Sequence, residues 1–406
     1  MISQCRSCGG NRFAPVLDIG TTPLANALLE ADSLDQPEQR YPLSVVFCKD
    51  CSLVQITETV PPEQLFSNYV YFSSFSDTAV ASAKAIAQRL VRERNLNNMS
   101  LVVEAASNDG YLLRHYRNLD VPVLGIDPAA NIAEIARRNG VPTHCAFFGL
   151  QIGKHLASEG KICDVFHANN VLAHVADLND FVAGLKAVLK PDGVASIEVP
   201  YLGDLIEKLE FDTIYHEHLC YFSGTSLNRL FGRHGLLLSD LERLPIHGGS
   251  LRLFVTHAGG QPSQRIKELL DNEVSSGLTR PAAYRAFKTR VIQLRQKLIA
   301  LLSELKASGK KIAAYGASAK GATLLNFCGI GRDLIDFVVD RSTIKQGKYT
   351  PGMHLPIVPP EAVKQHHPDY LLLLTWNFAE EILVQQAAYR NTGGKFIIPV
   401  PEPRIV

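Results

Sequence analysis

The chain has 406 residues, enough for two or three domains of ordinary size. Hydrophobic residues make up 46% of it, so it can bury real cores, and a disordered or low-complexity chain is excluded. Lys and Arg number 41 against 40 Asp and Glu, a net charge of +1, which removes the bulk electrostatic argument for a nucleic-acid or membrane-surface partner. The longest apolar runs, Tyr370 to Leu374 and Phe396 to Val400, fall far short of the roughly 20 residues that cross a bilayer. The first twenty residues hold two cysteines and two arginines and no apolar stretch of a secretory signal. A cytoplasmic protein with no membrane and no nucleic-acid partner is expected.

Four of the eight cysteines form two CxxC pairs, Cys5/Cys8 and Cys48/Cys51. Each pair puts two thiols on one tight knuckle whose backbone amides can donate to sulfur. Two knuckles brought together by hairpin strands supply the four thiolates of a closed tetrahedral zinc site. Such a site folds the segment and leaves no position for a catalytic water, so one structural zinc per chain is expected. A redox dithiol or a pair of disulfides are the competing readings. The 39 residues between Cys8 and Cys48 imply an insertion, which includes Pro23-Leu-Ala-Asn26 and a strand, Tyr41 to Phe47, leading into the second knuckle. The other four cysteines, Cys145, Cys163, Cys220 and Cys328, read as small buried apolar residues.

Leu101-Val-Val-Glu104 reads as a buried strand, Ala105 to Gly110 as a small-residue turn, and Tyr111 to Tyr116 as a helix: the opening of a doubly wound nucleotide-binding unit. The next strand, Val121 to Ile126, ends at Asp127, placed to accept ribose hydroxyls. The turn has one glycine where dinucleotide sites have three, which argues against NAD; S-adenosylmethionine carries no phosphate and needs less bare backbone. Glu104 suits its amino group, Asp127 its ribose, and Ser107, Asn108, Asp109 and Gly110 its methionine portion. Asn169 and Tyr71 complete the expected cofactor-binding set, Tyr69 and Tyr71 lying in an aromatic segment equally suited to core packing. A doubly wound domain holding another nucleotide, or none, fits the same features. Strands at Asp164–Val171 and Val194–Val199 follow, with a helix over Phe181–Leu189 and a tight turn at Lys190-Pro-Asp-Gly193.

Tyr215-His-Glu-His218 is the densest titratable cluster. It lacks the spacing of HExxH, so its histidines do not share a catalytic zinc. On a helix Tyr215 and His218 face the same way, with His216 and Glu217 pointing elsewhere. A histidine near neutral pKa can take a proton from carbon beside a carbonyl, and a phenol can donate to the enolate oxygen that develops. Glu217 could orient an imidazole or contact a sugar hydroxyl. A polar helix end with satisfied hydrogen bonds is the plain alternative. His174 follows a strand on the cleft side of the sheet and is counted with the catalytic set, although a lone histidine there is often structural. His247, before a Gly-Gly turn, is taken as facing the same cleft.

Helix-forming sequence runs from Pro262 to Lys306 with a break at Thr279-Arg280-Pro281. A second nucleotide-like unit opens at Lys311–Tyr315 and the turn Gly316-Ala-Ser-Ala-Lys-Gly321. This turn is no P-loop, since its lysine precedes the second glycine, but Ser318, Lys320 and Asp340 make a seat for a diphosphate. Strands at Tyr370–Leu374 and Phe396–Val400 complete a parallel sheet. A degenerate duplicate used only for packing is the alternative.

The whole series resembles the zinc-containing nucleotide-sugar C-methyltransferases that build branched deoxysugars. The resemblance rests on the paired knuckles, Pro23-Leu-Ala-Asn26, Tyr69 to Ser76, Ser107 to Leu113, Asn170 to Val175, Tyr215 to His218, His247 to Arg252 and Tyr315 to Gly321, in order over essentially the whole chain. It departs at Ala105 and Ala106, where the family more often has a glycine. The resemblance implies an α/β protein: an N-terminal zinc-binding domain (1–77), a class I methyltransferase domain with its helical connection (78–300), and a second doubly wound Rossmann-like domain that binds the nucleotide sugar (301–406). It also implies that His218 is the base, Tyr215 the enolate donor and Glu217 a sugar contact. The implied substrate is a thymidine-diphosphate-linked 4-keto-deoxysugar, lying against the C-terminal domain and methylated through an enolate at the carbon beside the ketone, C-3. Two further readings stay open: methylation of oxygen or nitrogen, and a non-enzymatic zinc-ribbon binding protein.

Overall fold

The computed structural model describes residues 2–66, 72–246 and 248–406. In its N-terminal part β1 (Phe13–Pro23), β2 (Arg40–Cys48) and β3 (Val54–Ile56) pair antiparallel. Alternation along β2 buries Leu43, Val45 and Phe47 on one face. Cys48 ends β2 opposite Phe13, so the sheet register itself brings the second knuckle up to the first.

The second unit contributes β4 (Val102–Ala105), β5 (Val123–Asp127), β6 (Thr143–Cys145), β7 (Cys163–Asn169) and β8 (Leu189–Pro200). Next, β9 (Cys220–Tyr221) leaves this unit and pairs with β3, giving the first sheet the order β1-β2-β3-β9. The hairpin β10 (Leu236–Leu244) and β11 (Ser250–His257) then adds antiparallel to β8, for an order β10-β11-β8-β7-β4-β5-β6. Strands β4 to β8 are parallel, and every residue of β4 and β5 is buried, as a sheet covered on both faces requires. Successive strands run outward from β4 to β6, then the chain returns to β7 on the other side. The crevice at this reversal lies outside the carboxyl ends of β4 and β7.

The third unit has β12 (Ile312–Tyr315), β13 (Val338–Val339), β14 (Ile357–Val358), β15 (Tyr370–Leu373), β16 (Lys395–Ile398) and β17 (Arg404–Ile405), in the order β14-β13-β12-β15-β16-β17. Five of these are parallel, but β17 turns back antiparallel on β16, so the sheet is mixed where a parallel one was expected. Its own reversal lies between β12 and β15.

Two helices, Gln264–Ser275 and Pro281–Ala307, join the second and third units, broken where the sequence places Pro281. The longer one also packs on the N-terminal sheet, with Tyr284 against Phe47 at 4.8 Å between ring centres. The boundary expected at 300/301 falls inside it. Three local readings are corrected. Lys190–Gly193 is not a turn before a strand: Cys163 pairs with Leu189 and Val165 with Val194, so these residues loop out within β8, and Lys190 ties back to Asp164 at 2.8 Å. Cys145 is exposed, because β6 is an edge strand with one face to solvent. Tyr215–His218 is a turn and not a helix.

The helices Leu150–Ser158 and Leu178–Val188 touch backbone to backbone, and a Cβ on Gly184 would stand 2.5 Å from the Gly149 carbonyl oxygen. Alanine for glycine inside a helix ordinarily gains about 1 kcal/mol. Gly184→Ala is expected to reverse that sign and destabilise by about 1–3 kcal/mol, through a shift of the urea unfolding midpoint; an unchanged or raised midpoint contradicts this packing.

Candidate active site

The four knuckle sulfurs lie within 4.8 Å of one another, with Cys5 and Cys51 3.5 Å apart and Cys8 and Cys48 3.6 Å apart. Zinc–sulfur bonds of about 2.3 Å in a tetrahedron set the sulfurs about 3.8 Å apart, so the donor set suits zinc. Gln55 Nε2 donates to Cys5 Sγ at 3.1 Å, and backbone N–H groups of Ser7 and Cys8 do the same. Hydrogen bonding from Cys51 drives the Cys5 thiol down to about 4 while that same contact pushes Cys51 far up. Four thiols this close cannot all ionise without a cation among them, and the metal is what lets them do so. Arg233 and Asn179 bind the Ser7 carbonyl, and Arg229 binds that of Asp50, lacing the knuckles to the methyltransferase sheet's helices.

In the crevice outside β4 and β7 stand Glu104, Ser107, Asn108, Asp109, Gly110, Asp127 and Asn169. Asp127 Oδ2 accepts from Asn108 N and Oδ1 from Ala129 N, each at 2.9 Å, which fixes the carboxylate at the end of β5. Glu104 is 1% exposed and neither carboxylate oxygen has a protein partner among the described residues; Ser107 Oγ, Asp109 Oδ1 and Asn169 Oδ1 are also buried and unpaired. Burial, then the carboxylates of Asp127, Asp109 and Glu198, raise the Glu104 carboxyl well above its usual range. Orphaned acceptors beside clustered acids suit a cationic group with N–H donors, which the sulfonium and ammonium of S-adenosylmethionine provide. Gly110 sits at φ +79° with Val141 2.7 Å from where a Cβ would be, so glycine is required there. Ala106 sits at φ +52°, the conformation that a glycine adopts without strain, and bears that strain itself. Tyr69, Tyr71 and His247 lie outside the described residues.

The motif Tyr215–His218 is held as a turn, His218 N donating to Tyr215 O at 2.9 Å. His218 Nδ1 lies 2.8 Å from the Thr213 carbonyl and must donate to it, which leaves Nε2 as an acceptor. Tyr215 OH lies 2.9 Å from that Nε2 and donates to it. Both side chains are half-buried, whereas His216 and Glu217 are turned inward. The expected division of the four side chains therefore holds, produced by a turn instead of helical spacing. His216 Nε2 donates to Pro42 O of β2 at 3.2 Å, and Glu217 Oε1 accepts from Asn26 Nδ2 at 2.6 Å. Glu217, expected against the substrate, is thus engaged with the N-terminal domain. His174 Nδ1 donates to Glu217 O at 2.7 Å, and its ring lies 4.9 Å from that of His218.

In the third unit Ser318 Oγ accepts from Gly321 N and caps the helix Ala319–Cys328. Asp340 accepts from Ala317 N and Ser342 N at 2.8 Å each, so it shapes the turn after β12. Lys320 Nζ is buried beside the Trp376 ring, 5.3 Å from its centre, and is a principal counter-charge to Glu210 and Asp212. Residues Asn26, Asp212, Thr213 and Trp376 were given no role from sequence. Asn26 lies in a singled-out motif, but only the fold brings it to Glu217; the others carried no local signal.

A zinc-knuckle sheet and a doubly wound cofactor cleft, with the titratable turn Tyr215–His218 beside them, define a zinc-containing, S-adenosylmethionine-dependent methyltransferase. Family models match in the same order: a zinc binding domain over residues 5–66, a methyltransferase domain over 80–239, and a C-methyltransferase C-terminal domain over 245–401. The chain is 37% identical to the C-methyltransferase NovU of Streptomyces niveus over 407 aligned residues, 100% of this chain and 97% of that one. It belongs to this C-methyltransferase family. Part of the fold is also similar to solved methyltransferases at low identity. Magnesium protoporphyrin IX methyltransferase of Synechocystis PCC 6803 shares 14% identity over 44% of this chain and 83% of that one, with a TM-score of 0.36. The 1,6-didemethyltoxoflavin-N1-methyltransferase of Burkholderia thailandensis shares 15% over 52% and 97%, with a TM-score of 0.34.

Cys48→Ser is expected to cost the bound zinc and to lower the melting midpoint by roughly 10 °C or more, read by metal analysis and calorimetry; full zinc content with an unchanged melt contradicts a structural site. A second expectation concerns pH. Burial pulls the His174 imidazole down to about 4, below the 6.5 of an unfolded histidine. The unfolded chain therefore takes the proton first, so the His174 contribution is present above pH 6.5 and is lost as pH falls toward 4. Compared with His174→Asn, which keeps a donor to Glu217 O but does not titrate, the wild type is expected to lose more stability over that range; parallel curves refute it.

Proposed function

We propose that this enzyme methylates the carbon beside the ketone, C-3, of a thymidine-diphosphate-linked 4-keto-deoxysugar in branched deoxysugar biosynthesis, in the cytoplasm. The observation that carries the reading is the Tyr215–His218 pair at 2.9 Å, with the imidazole tautomer fixed by Thr213 so that Nε2 is the base. The NovU resemblance over the whole chain supports carbon as the acceptor.

The chemistry follows from one hydrogen bond exchanging partners. When Tyr215 turns its O–H from Nε2 to the ketone oxygen, the Nε2 lone pair is freed for the proton on the adjacent carbon. The C–H bond breaks, its electron pair becomes the enolate, and the phenol donates to the oxygen where charge develops. When bound, S-adenosylmethionine supplies an electrophilic methyl group already activated by its sulfonium. Its holders are proposed to be Glu104 for the amino group, Asp127 for the ribose, and Ser107, Asn108, Asp109, Gly110 and Asn169 around the methionine portion, with Tyr71 over it. His174 and Asn26 keep Glu217 and the turn in place. The nucleotide end is assigned to the turn after β12, shaped by Ser318 and Asp340 with Lys320 beside it, and His247 is assigned to the sugar. Holding carbon and methyl together contributes several kcal/mol, about the scale that orientation supplies in intramolecular reactions.

The test is proton NMR in deuterium oxide with a thymidine-diphosphate 4-keto-6-deoxysugar and no cofactor. Wild type should exchange the hydrogen at C-3, and His218→Ala should slow that exchange by about 100-fold or more. Methylation at the exchanged carbon should follow when S-adenosylmethionine is added. Exchange that survives His218→Ala removes His218 as the base, and methylation without label loss moves the acceptor to oxygen.

A further inference from the structure

Upstream of the catalytic turn lies a charged cluster of which the proposed function uses only Lys320, beside the nucleotide end. Asp212 is wholly buried in the short 3-10 turn Phe211–Thr213, and its Oδ2 accepts from Trp376 Nε1 at 2.6 Å. The Asp212 Oδ1, Glu210 Oε1 and Lys320 Nζ atoms are buried without hydrogen-bond partners among the described residues. Burial pushes the Asp212 carboxyl up to about 6, against the pull of the Lys320 charge and the Trp376 N–H. Lys320 lies in the first turn of the helix Ala319–Cys328 after β12, and Trp376 in the short turn after β15, on either side of the sheet's reversal.

The same helix, Ala319–Cys328, grips the segment at two further points. Phe211 stacks on Phe327 at 5.1 Å between ring centres, and Thr323 Oγ1 donates to Ile214 O at 3.2 Å. Between these two anchors stands Thr213, whose carbonyl takes the Nδ1 proton of His218. A turn that needed only stability could be held by apolar packing, since burying ionisable groups is costly unless they are paired. Here an acid, a lysine and an indole N–H converge on the residue next to the one that sets the base's tautomer.

We propose that Asp212 is a positioning residue for His218, held by Lys320 and Trp376, so that the C-terminal domain sets the orientation and tautomer of the base. The proposal rests on the reading of His218 as base. Lys320 then acts on the chemistry through Asp212, whichever phosphate lies beside it. Asp212→Asn keeps the size and the acceptor for Trp376 but removes the charge that faces Lys320; Trp376→Phe removes the donor and keeps an apolar ring.

The test measures turnover of the zinc-loaded enzyme, and separately the 15N shifts of the His218 imidazole in the ligand-free protein, assigned against His218→Ala. Asp212→Asn is expected to lower kcat by roughly 10- to 100-fold, with KM for the nucleotide sugar and for S-adenosylmethionine within about two-fold of wild type. Trp376→Phe should do the same to a smaller degree, and the double variant should be no worse than the worse single one, since the two act as one unit. The imidazole of wild type should show a single Nδ1–H tautomer, and Asp212→Asn a mixture. A raised KM with kcat retained would make the cluster a substrate contact and overturn the proposal, as would unchanged kinetics. If Asp212→Asn does not fold, Trp376→Phe decides alone by the same two readouts. The tautomer measurement needs no substrate: an unaltered tautomer in a folded variant refutes the positioning role, whereas an altered one with no turnover by wild type on the nucleotide sugar refutes the substrate reading instead.

Discussion

The turn Tyr215–His218 has no helix or strand of its own, and elements of all three units hold it in place. Its backbone is caught on both sides. Before it, Ile214 O is bound by Thr323; after it, Leu219 N donates to Ala173 O at 2.8 Å and Leu219 O accepts from Ile56 N at 3.0 Å. One residue further on, β9 is a strand of the N-terminal sheet. Each inward side chain is also spent on a different neighbour, His216 on β2 and Glu217 on Asn26. Tyr215 and His218, by contrast, are half-buried and hydrogen-bonded to each other. A turn is normally among the softer parts of a fold; this one is tied down by contacts from all three units, which holds its side chains within hydrogen-bond geometry without a regular element beneath them.

The zinc knuckles gain a purpose from this arrangement. A closed four-sulfur site performs no chemistry, yet β2, β3 and the Asn26 loop of the same N-terminal part contact His216 and Glu217 within the turn and Leu219 directly after it. Arg6, one residue after the first zinc-site cysteine, threads its guanidinium onto Ile56 O at 2.6 Å and Thr59 Oγ1 at 2.7 Å, anchoring the strand that pairs with β9. The metal site thereby sits in the same N-terminal part that holds His216, Glu217 and Leu219.

Electrostatics divides the two clefts. The methyltransferase crevice gathers Glu104, Asp109, Asp127 and Glu198, of which Glu198 is met by Arg252 at 2.7 Å while Glu104 has no partner among the described residues. That asymmetry prepares the site for a positively charged cofactor, because an unpaired buried carboxylate is stabilised most by the ligand that brings the missing charge. The C-terminal side is different: there the cation, Lys320, is supplied by the protein itself and is enclosed with the acids Glu210 and Asp212.

Local pattern was enough for much of this. The CxxC pairs, the buried runs at β4, β5 and β12, the break at Pro281 and the clustering of Tyr215 with His218 are each set within a few residues, where spacing and propensity act directly. The sequence therefore determined the α/β class, the four-cysteine metal site and the position of the densest titratable motif. It misjudged what depends on distant neighbours: the exposure of Cys145 on an edge strand, the looped-out Lys190–Gly193 within β8, the reversed β17, and the turn that replaced a helix at Tyr215–His218. Tertiary structure alone decided that Asn26 meets Glu217 across 191 positions and that Trp376 meets Asp212 across 164. Such pairs are made by sheet order and by strand β9 crossing between units, and neither partner carries a signal in its own neighbourhood that names the other.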